Sequence, residues 1–403
     1  MKNILKFIYN RKDSGIYRIR TIFGIKITTK PKKLSEITPE IIKNPNYVEK
    51  KYKLAIFLRF GIGDYILFRK FLPYIRNYYK DYNIILIANR LHKDIVKNFD
   101  MNYIDEYITY QGYHIPPKSF EKFFKNIKYD ILISHFYGHN RVVNDIISRI
   151  NAKEKIASYG SLWHNTKYNR ASLFNICTKL IFNNTDEDEE THEMTINTNF
   201  FEQLLNTKIN INDMNIELDK DFFDKIDFNF NDKYCIIFPA SAGIGREYKT
   251  EYFAKICDYL YSKYELISYV VGSVEDNKIA NEIIEYSDSN YIKNICGKYK
   301  LNELFYIFNK AKLIITIDSA GYHIGIAVND NIICIASGMS YSRYLNYPKE
   351  LVKNKNINIF LPKELKEDIK NGNTKRDYEY YPLYDLQSIE PDYICDYISK
   401  YIL

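Results

Sequence analysis

Short apolar runs alternate with stretches of helical spacing along most of the chain. In the first half, turn residues or helix-like segments separate apolar runs at residues 54–58, 84–87 and 131–134. Runs of this length are typical of buried strands, and their alternation with helices predicts parallel βαβ units. We therefore expect an α/β domain over residues 51–205.

The same pattern restarts in the second half of the chain. Apolar runs alternate there with helix-like segments, the runs at residues 234–238, 266–271, 313–317 and 332–335 and the segments at 251–263, 277–286 and 301–311. They predict a second α/β domain over residues 233–385. Residues 206–232 are polar and turn-rich, which predicts a linker, and Pro391 suits the first turn of a closing helix within 386–403. The expected fold is α/β, with two doubly wound, Rossmann-like domains facing a central cleft.

Composition limits the class of protein. Hydrophobic residues make up 46% and charged residues 27% of the 403-residue chain, as in globular proteins. A net charge of +7 is too small at this length for the basic surface of a nucleic-acid-binding protein. No stretch approaches the ~20 apolar residues of a membrane-spanning helix. The six cysteines form no C-x-x-C pair, so we expect a cytoplasmic protein without disulfides.

Basic residues concentrate at the N-terminus, where we expect residues 1–50 to form an arm. Residues 1–33 carry ten Lys and Arg against one acid, with apolar residues interleaved. Such a segment can lie on the anionic inner face of the cytoplasmic membrane, and a solvated arm or an added strand is the alternative interpretation. An acidic run at residues 185–193 is interpreted as a solvated loop.

The first candidate site follows the first predicted strand. Arg59 precedes Gly61-Ile62-Gly63-Asp64, in which the glycines allow a tight passage from strand to helix. Asp64 would then lie at a helix start and at the carboxyl end of the sheet, where α/β folds bind ligands. Asp is also a favoured helix cap, so spacing alone leaves both roles open. The third glycine of the dinucleotide-binding pattern G-x-G-x-x-G is missing.

A second candidate site is a turn of small residues before a predicted helix. It contains Ser241, Ala242, Arg246 and Lys249. Its backbone N–H groups can hold a phosphate group that Arg246 or Lys249 would neutralise. Glycine-rich surface turns beside a cation are also common, and the chain has no G-x-x-x-x-G-K-[ST] phosphate loop.

A third candidate site follows the predicted strand at residues 313–317. Asp318, Ser319, Ala320 and Gly321 lead into a helix whose amino end can receive a diphosphate, and His323 follows within the first turn. An Asp-Ser helix cap and a structural histidine explain the same residues.

Glu275 is a separate candidate. It comes shortly after the predicted strand at residues 266–271, where a carboxylate can accept hydrogen bonds from ribose hydroxyl groups. A helix-capping acid is the alternative interpretation.

Five segments together resemble, in order and approximate spacing, the motifs of glycosyltransferase family 9, the ADP-heptose:lipopolysaccharide heptosyltransferases. They are residues 59–64, 239–241, 272–275, 297–304 and 318–323. The resemblance covers about residues 52–400 and implies the GT-B architecture of two Rossmann-like domains.

The resemblance also implies an activity, which is inverting transfer of a sugar, with heptose as one candidate, from a nucleotide-diphosphate donor. The acceptor would be a lipopolysaccharide, a lipooligosaccharide or another surface glycan, and the reaction would need neither metal nor cofactor. Asp64 would be the general base, after a turn positioned by Arg59, Gly61 and Gly63. The donor-binding residues would be Ser241, Ala242, Arg246, Lys249, Glu275, Asp318, Ser319, Ala320, Gly321 and His323.

Some residues depart from the family pattern. Arg246 stands where the family has a phosphate-binding Lys, which keeps the charge. Ala320 and Gly321 replace a common Gly-Pro pair, and Pro73 lies within the first predicted helix. A non-catalytic nucleotide-sugar binding protein of the same fold is the alternative function. A dinucleotide-dependent oxidoreductase would need the glycine pattern that is missing.

Overall fold

In the computed structural model, the described residues form three sheets. The smallest is antiparallel and consists of β1 (Tyr9–Ser14), β2 (Tyr17–Ile22) and β3 (Ile25–Thr29). Among the described residues, none of the helices has the length and apolar character that crossing a membrane requires. The structure describes residues 9–14, 17–23, 25–29, 39–59, 61–110, 123–124, 126–162, 165–183, 191–230, 232–241, 243, 245–287, 290–372 and 376–402.

A seven-stranded sheet and its helices form the first lobe. Its strands are β4 (Glu40–Lys43), β5 (Tyr52–Phe57), β6 (Tyr82–Asn89), β7 (Glu106–Tyr110), β8 (Tyr129–Ser134), β9 (Ala152–Ser158) and β10 (Lys179–Ile181). Its helices are α1 (Ile62–Phe68), α2 (Leu72–Tyr78), α3 (Lys93–Ile95), α4 (Arg141–Arg149), α5 (Lys167–Ala171), α6 (Leu173–Ile176) and α7 (Glu193–Leu205). The strand order is β10-β9-β8-β5-β6-β7-β4, parallel except that β4 pairs antiparallel with β7.

A six-stranded parallel sheet and its helices form the second lobe. Its strands are β11 (Tyr234–Phe238), β12 (Ile267–Val270), β13 (Ile292–Asn294), β14 (Leu313–Ile317), β15 (Asn331–Ile335) and β16 (Asn356–Phe360). Its helices are α8 (Thr250–Tyr264), α9 (Asn277–Glu285), α10 (Leu301–Lys310), α11 (Ala320–Val328), α12 (Lys363–Asn371) and α13 (Pro391–Tyr401). The strand order is β13-β12-β11-β14-β15-β16.

Both large sheets have the same topology. Counted from β5 in the first lobe and from β11 in the second, the parallel strands follow the order 3-2-1-4-5-6 of Rossmann folds. In that order the chain reverses direction across the sheet between the first and fourth strands, which leaves a crevice beyond their carboxyl ends. The crevices therefore lie beyond β5 and β8 in one lobe and beyond β11 and β14 in the other.

The apolar runs identified the central strands correctly. All seven predicted strands are confirmed, as β5, β6, β8, β11, β12, β14 and β15. The sequence missed the outer strands, because short or half-exposed strands carry polar residues that hide the apolar run. In β9, for example, burial is complete only over the last three of seven residues.

Some of the predicted arm belongs to the first lobe. β4 lies within residues 1–50 and pairs with β7, so that its backbone extends the seven-stranded sheet. At the other end of the chain, the predicted closing helix forms as α13, begins at Pro391 and packs on α8. The limits predicted for the domains and for the linker stay predictions.

The predicted linker, residues 206–232, lies against both lobes. The Tyr74 hydroxyl of the first lobe donates to the Asn210 carbonyl at 2.8 Å, and the Ile216 amide donates to the Ala327 carbonyl of the second lobe at 2.9 Å. The lobes also touch directly where α1 packs on α11. Buried side chains of both lobes therefore form one continuous apolar cluster.

Pro73 divides the helix predicted after the first strand. α1 ends at Phe68, a 3-10 turn spans Arg69–Phe71, and Pro73 lies in the first turn of α2. Proline lacks a backbone N–H, and the first turn of a helix has no partner for one. Pro73, which departs from the family pattern, therefore lies at the beginning of a second helix.

Candidate active site

A cavity of about 1000 Å³ lies between the two lobes. Its walls come from the segments that follow β5, β6 and β8 in the first lobe and β11, β12, β13, β14 and β15 in the second. The three predicted candidate segments thus contribute to a single cavity. Among the residues that the structure describes, no group of three or more His, Cys, Asp and Glu side chains is placed to hold a metal ion.

Asp64 lines this cavity from the first turn of α1. Its Oδ2 accepts a hydrogen bond from the Gly61 N–H at 3.1 Å, which caps the helix. Tyr344 of the second lobe lines the same cavity, and its side chain lowers the pKa of this carboxylate. Asp64 therefore caps the helix and also borders the cavity. The two interpretations of the sequence, a helix cap and a ligand-binding residue, do not exclude each other.

The surroundings of Asp64 make it a stronger base than an ordinary aspartate. Its pKa is raised from 3.8 to about 6, chiefly by burial and secondly by the nearby Glu193 carboxylate. The Gly61 N–H, the Arg343 guanidinium and the Tyr344 hydroxyl oppose this rise. At neutral pH the carboxylate is still mostly ionised, and a pKa close to the working pH favours general base catalysis.

A buried ion pair joins the lobes beside Asp64. Glu193 begins α7, and Arg343 lies in the helical turn Tyr341–Leu345 of the second lobe. Nε and Nη2 of Arg343 each lie 2.8 Å from Glu193 Oε2, and the two side chains are only 2% and 4% exposed. Arg343 also lines the cavity. Sequence reasoning missed this pair, because its members are 150 residues apart and Glu193 was assigned to the solvated acidic run. That interpretation is wrong for Glu193, which is buried at the start of α7.

Gly63 lets the lobes approach each other. A Cβ at this position would overlap the imidazole of His323 in α11. The Nδ1 of His323 lies 2.7 Å from the Tyr347 hydroxyl, and burial lowers the pKa of His323 to about 4. His323 is therefore neutral at physiological pH, and it lines the cavity as a packed, hydrogen-bonded side chain.

The amino end of α11 points into the cavity. Ser319 caps this nine-residue helix, since its Oγ accepts a hydrogen bond from the Gly321 N–H at 3.2 Å. Ser319 and Ala320 line the cavity, and the next residue, Gly321, is buried. The partial positive charge at a helix N-terminus stabilises anions. This wall of the cavity therefore suits a phosphate group.

Arg246 reaches the same wall from the turn after β11. Its Nε lies 3.0 Å from Asp318 Oδ2, and its Nη1 donates to the Asp318 carbonyl oxygen at 3.2 Å. Burial raises the pKa of Asp318 to about 6, and the Arg246 charge opposes the rise. Both residues line the cavity, so Asp318 holds the guanidinium close to the amino end of α11.

The structure separates the other residues of the second candidate turn. Ser241 lines the cavity, and its Oγ accepts a hydrogen bond from the Gly243 N–H at 3.2 Å. Lys249 is not among the described residues of the cavity wall; it precedes α8 and places its ammonium group 4.7 Å from the centre of the Tyr252 ring. Ala242 lies outside the described residues.

Glu275 lines the cavity from the 3-10 turn Val274–Asp276. Ser273 caps this turn together with Asp276, whose Oδ2 accepts hydrogen bonds from the Ser273 N–H at 2.7 Å and from the Ser273 hydroxyl at 2.8 Å. The capping role therefore belongs to Asp276, and the exposed Glu275 carboxylate borders the cavity.

Just over half of the chain, residues 161–368, matches the sequence model of glycosyltransferase family 9 (heptosyltransferase). The chain belongs to glycosyltransferase family 9. The predicted family is confirmed, and the protein is a glycosyltransferase. The match includes Arg246, Glu275 and Asp318, whereas Asp64 lies before its first residue. Among curated protein sequences, no significant match to the chain was found.

Solved structures of family 9 share the fold along most of the chain. The family 9 glycosyltransferase from Veillonella parvula has a TM-score of 0.62 at 19% identity, over 87% of this chain and 97% of that one. For E. coli heptosyltransferase WaaC with ADP the TM-score is 0.62 at 12% identity, over 86% and 99%. For E. coli ADP-heptose lipopolysaccharide heptosyltransferase II the TM-score is 0.57 at 12% identity, over 86% of this chain and 97% of that one. This likeness confirms the predicted GT-B fold.

In this family 9 chain, Arg59 supports the cavity wall from behind. Its Nη1 donates to Asn140 Oδ1 at 2.9 Å, and the same oxygen caps α4 by accepting hydrogen bonds from the Val142 and Val143 N–H groups. Asn140 lines the cavity and the buried Arg59 does not belong to its described lining. Sequence reasoning missed Asn140, although its place after a predicted strand and before a helix is typical of a cap.

Proposed function

We propose that this family 9 enzyme moves a sugar from a nucleotide-diphosphate donor to a hydroxyl group of a surface glycan, with inversion at the anomeric carbon. One observation carries the proposal: Asp64 of the first lobe and the amino end of α11 with Arg246 border the same cavity. A base and an anion-binding wall on different lobes suit a reaction that removes a proton from the acceptor while the leaving diphosphate gains negative charge.

Asp64 is proposed as the general base. The acceptor oxygen would form its bond to the anomeric carbon while the hydroxyl proton passes to the Asp64 carboxylate. The bond from the anomeric carbon to the diphosphate oxygen breaks in the same displacement, and the electron pair stays on the diphosphate. A single displacement of this kind inverts the anomeric centre. The pKa of Asp64, raised to about 6 by burial, supports this role.

The second lobe is proposed to stabilise the leaving group. The amide groups at the amino end of α11, the Ser319 hydroxyl and Arg246 would contact the diphosphate, and Asp318 would position Arg246. Ser241 would contribute to the same wall, and the Glu275 carboxylate would accept hydrogen bonds from the ribose. Because these groups supply positive charge where the diphosphate leaves, we propose a reaction that needs no metal ion.

The donor is proposed to be an ADP-heptose or a related nucleotide sugar. The E. coli heptosyltransferase WaaC has been solved with ADP-2-deoxy-2-fluoro heptose, and E. coli heptosyltransferase II is named for ADP-heptose and lipopolysaccharide. The acceptor is accordingly proposed to be a lipopolysaccharide, a lipooligosaccharide or another surface glycan, glycosylated in the cytoplasm.

The small N-terminal sheet is proposed to bring the enzyme to the inner face of the cytoplasmic membrane. Residues 1–33 carry ten Lys and Arg against one acid. Phe23, Ile25 and Ile27 are exposed, and alternation along β3 places Ile25 and Ile27 on one face. Basic and exposed apolar residues together suit an anionic bilayer. Co-sedimentation with phosphatidylglycerol vesicles, undiminished in a Phe23→Ser/Ile25→Ser/Ile27→Ser variant, would contradict this proposal.

The central test compares the wild type with Asp64→Asn on a panel of ADP-, UDP-, GDP- and CDP-sugars. Transfer should fall by about 100-fold or more, the contribution typical of a general base. Binding of the donor, measured as a rise in melting temperature, should persist, because Asp64 lies on the acceptor side. Unchanged transfer by the variant would refute the assignment of the base. Nucleotide binding by a wild type that transfers no sugar would favour the non-catalytic binding protein.

Loss of activity in Asp64→Asn should not come from unfolding. The folded-state pKa of about 6 exceeds the ordinary 3.8, so an ionised Asp64 destabilises the folded state above pH 6, and this cost disappears as the pH falls below 4. The difference between these two pKa values corresponds to a loss of at most about 3 kcal/mol of folding stability at neutral pH. The variant should therefore melt at a temperature equal to or above that of the wild type.

A further inference from the structure

An aromatic surface with two exposed rings lies on the first lobe, outside the described lining of the cavity. It consists of Tyr159, Phe174 and Phe182, with the Arg170 guanidinium 4.7 Å from the centre of the Tyr159 ring. The ring of Tyr159 lies 5.4 Å from that of Phe174 and 4.6 Å from that of Phe182. Phe174 is 59% exposed and Phe182 is 50% exposed. Soluble proteins seldom expose adjacent aromatic rings unless the rings bind something.

The fold places this aromatic surface at the catalytic edge of the sheet. Tyr159 directly follows β9 and Phe182 directly follows β10, and the strands are parallel to β5, which leads to Asp64. The carboxyl ends of all these strands therefore lie along one edge. The Tyr159 N–H donates to the Ile181 carbonyl at 2.8 Å, which keeps the loops after β9 and β10 together.

The aromatic surface is also connected to the wall of the cavity. The Ser161 N–H donates to the Tyr137 carbonyl at 2.9 Å, and the neighbours of Tyr137, Phe136 and Gly138, line the cavity. Gly160 has a φ of +74° and lies against the Tyr137 carbonyl, where a side chain would not fit. The loop that carries Tyr159 is therefore held against the loop that borders the cavity.

The strand ends that precede Tyr159 and Phe182 lie at a distance from the end of β5 that a chain of sugars can bridge. β9 is two strands and β10 three strands away from β5 in the sheet. At about 4.8 Å per strand, their ends lie roughly 10–14 Å from the end of β5. An acceptor whose hydroxyl group reaches Asp64 must leave the cavity somewhere, and this edge leads from Asp64 along the first lobe to the aromatic surface.

We propose that the aromatic surface is a binding site for the oligosaccharide part of the acceptor, beyond the sugar that reacts; this inference rests on the proposed function. The C–H faces of sugar rings are apolar and pack on aromatic rings, whose flat surfaces gain much buried area at a small entropic cost. Arg170, with the exposed Lys167 and Lys179, adds positive charge for phosphate or carboxylate substituents. The hydrogen bond from the Ser161 N–H to the loop that borders the cavity favours this occupant over a lipid surface.

Binding of a glycan tests the proposal without requiring turnover. The probe is lipid-free core oligosaccharide from lipopolysaccharide, titrated by calorimetry into the wild type and into Phe174→Ala/Phe182→Ala. The double variant should bind about 10- to 100-fold more weakly, since an aromatic contact typically contributes about 1 kcal/mol. Tyr286→Ala is the matched control, because Tyr286 is also 59% exposed but follows α9 in the second lobe. Its affinity should equal that of the wild type.

The outcomes separate this inference from the proposed function. Equal affinity in the double variant, or no binding by the wild type, would overturn the glycan site. If only phosphatidylglycerol vesicles, and not the oligosaccharide, bind less well to the double variant, the surface is a membrane contact and the proposal is wrong. Failure of the proposed function would instead appear as a wild type that neither gains stability from any nucleoside diphosphate nor transfers sugar.

Discussion

Removing either charge of the Glu193–Arg343 ion pair should move the acid limb of the pH profile, and the two changes should move it in opposite directions. With Asp64 as the base, kcat/KM for transfer should fall about tenfold per pH unit below the pKa of about 6. Glu193 raises this pKa and Arg343 lowers it. His323 is neutral in this range and should not contribute. Asp318, whose pKa is also about 6, should steepen the fall, but its pKa depends on burial and on Arg246, so neither variant should move that part of the limb.

The directions follow from the charge that each variant leaves behind. Glu193→Gln removes the acid and keeps Arg343, so the limb should move to lower pH. Arg343→Met removes the cation and leaves Glu193, so the limb should move to higher pH. A single charge beside a partly buried carboxyl should shift the limb by about half to one pH unit, which corresponds to about 0.7–1.4 kcal/mol.

The assay is kcat/KM against pH, with the melting temperature of each variant recorded at every pH. Breaking a buried ion pair typically costs about 3–5 kcal/mol of stability, so the single variants should melt earlier. The control is the double variant Glu193→Gln/Arg343→Met, in which both charges are absent and the limb should return close to that of the wild type. Folded single variants whose limbs stay in place, or move in the same direction, would refute the reasoning.

Three further changes test the cavity wall. Gly63→Ala should lower kcat/KM and the melting temperature, because its Cβ would overlap the His323 ring and push the lobes apart; unchanged values would show that the lobes need not touch there. Arg246→Met should weaken ADP binding about 10- to 100-fold in calorimetry, as expected for a charge-assisted contact of about 1.5–3 kcal/mol, whereas Lys249→Met should not. Asn140→Ala should lower the free energy of unfolding by about 0.5–2 kcal/mol, the cost of a lost helix cap. Asn140→Asp, which can still cap the helix, should keep most of the wild-type stability, and a denaturation series measures both variants.

The sequence determined the two lobes because central parallel strands are buried on both faces. Their residues must be almost uniformly apolar, and this is why the runs that became β5, β11 and β14 were recognisable. β9 and β16 lie nearer the sheet edges and keep polar residues on exposed or half-buried positions, so no apolar run marks them. Their places follow only from pairing with the strands already formed.

The sequence also indicated the residues at the strand ends, since a turn of small residues between strand and helix has a local cause. Asp64, Ser319 and Glu275 were found in this way, and all three border the cavity. Local spacing could not decide between Arg246 and Lys249, because their direction depends on the fold of the turn. Only the structure places Arg246 against Asp318 and Lys249 against Tyr252.

Contacts between residues far apart in the chain were decided by the tertiary structure alone. The pairing of Glu193 with Arg343, the approach of Gly63 to His323 and the aromatic surface around Tyr159 leave no pattern in a single sequence. The pKa of Asp64 belongs to the same group, because it depends on how completely the two lobes exclude water from one carboxyl group. Apolar periodicity is a property of neighbouring residues, whereas burial and charge pairing arise only when the folded lobes meet.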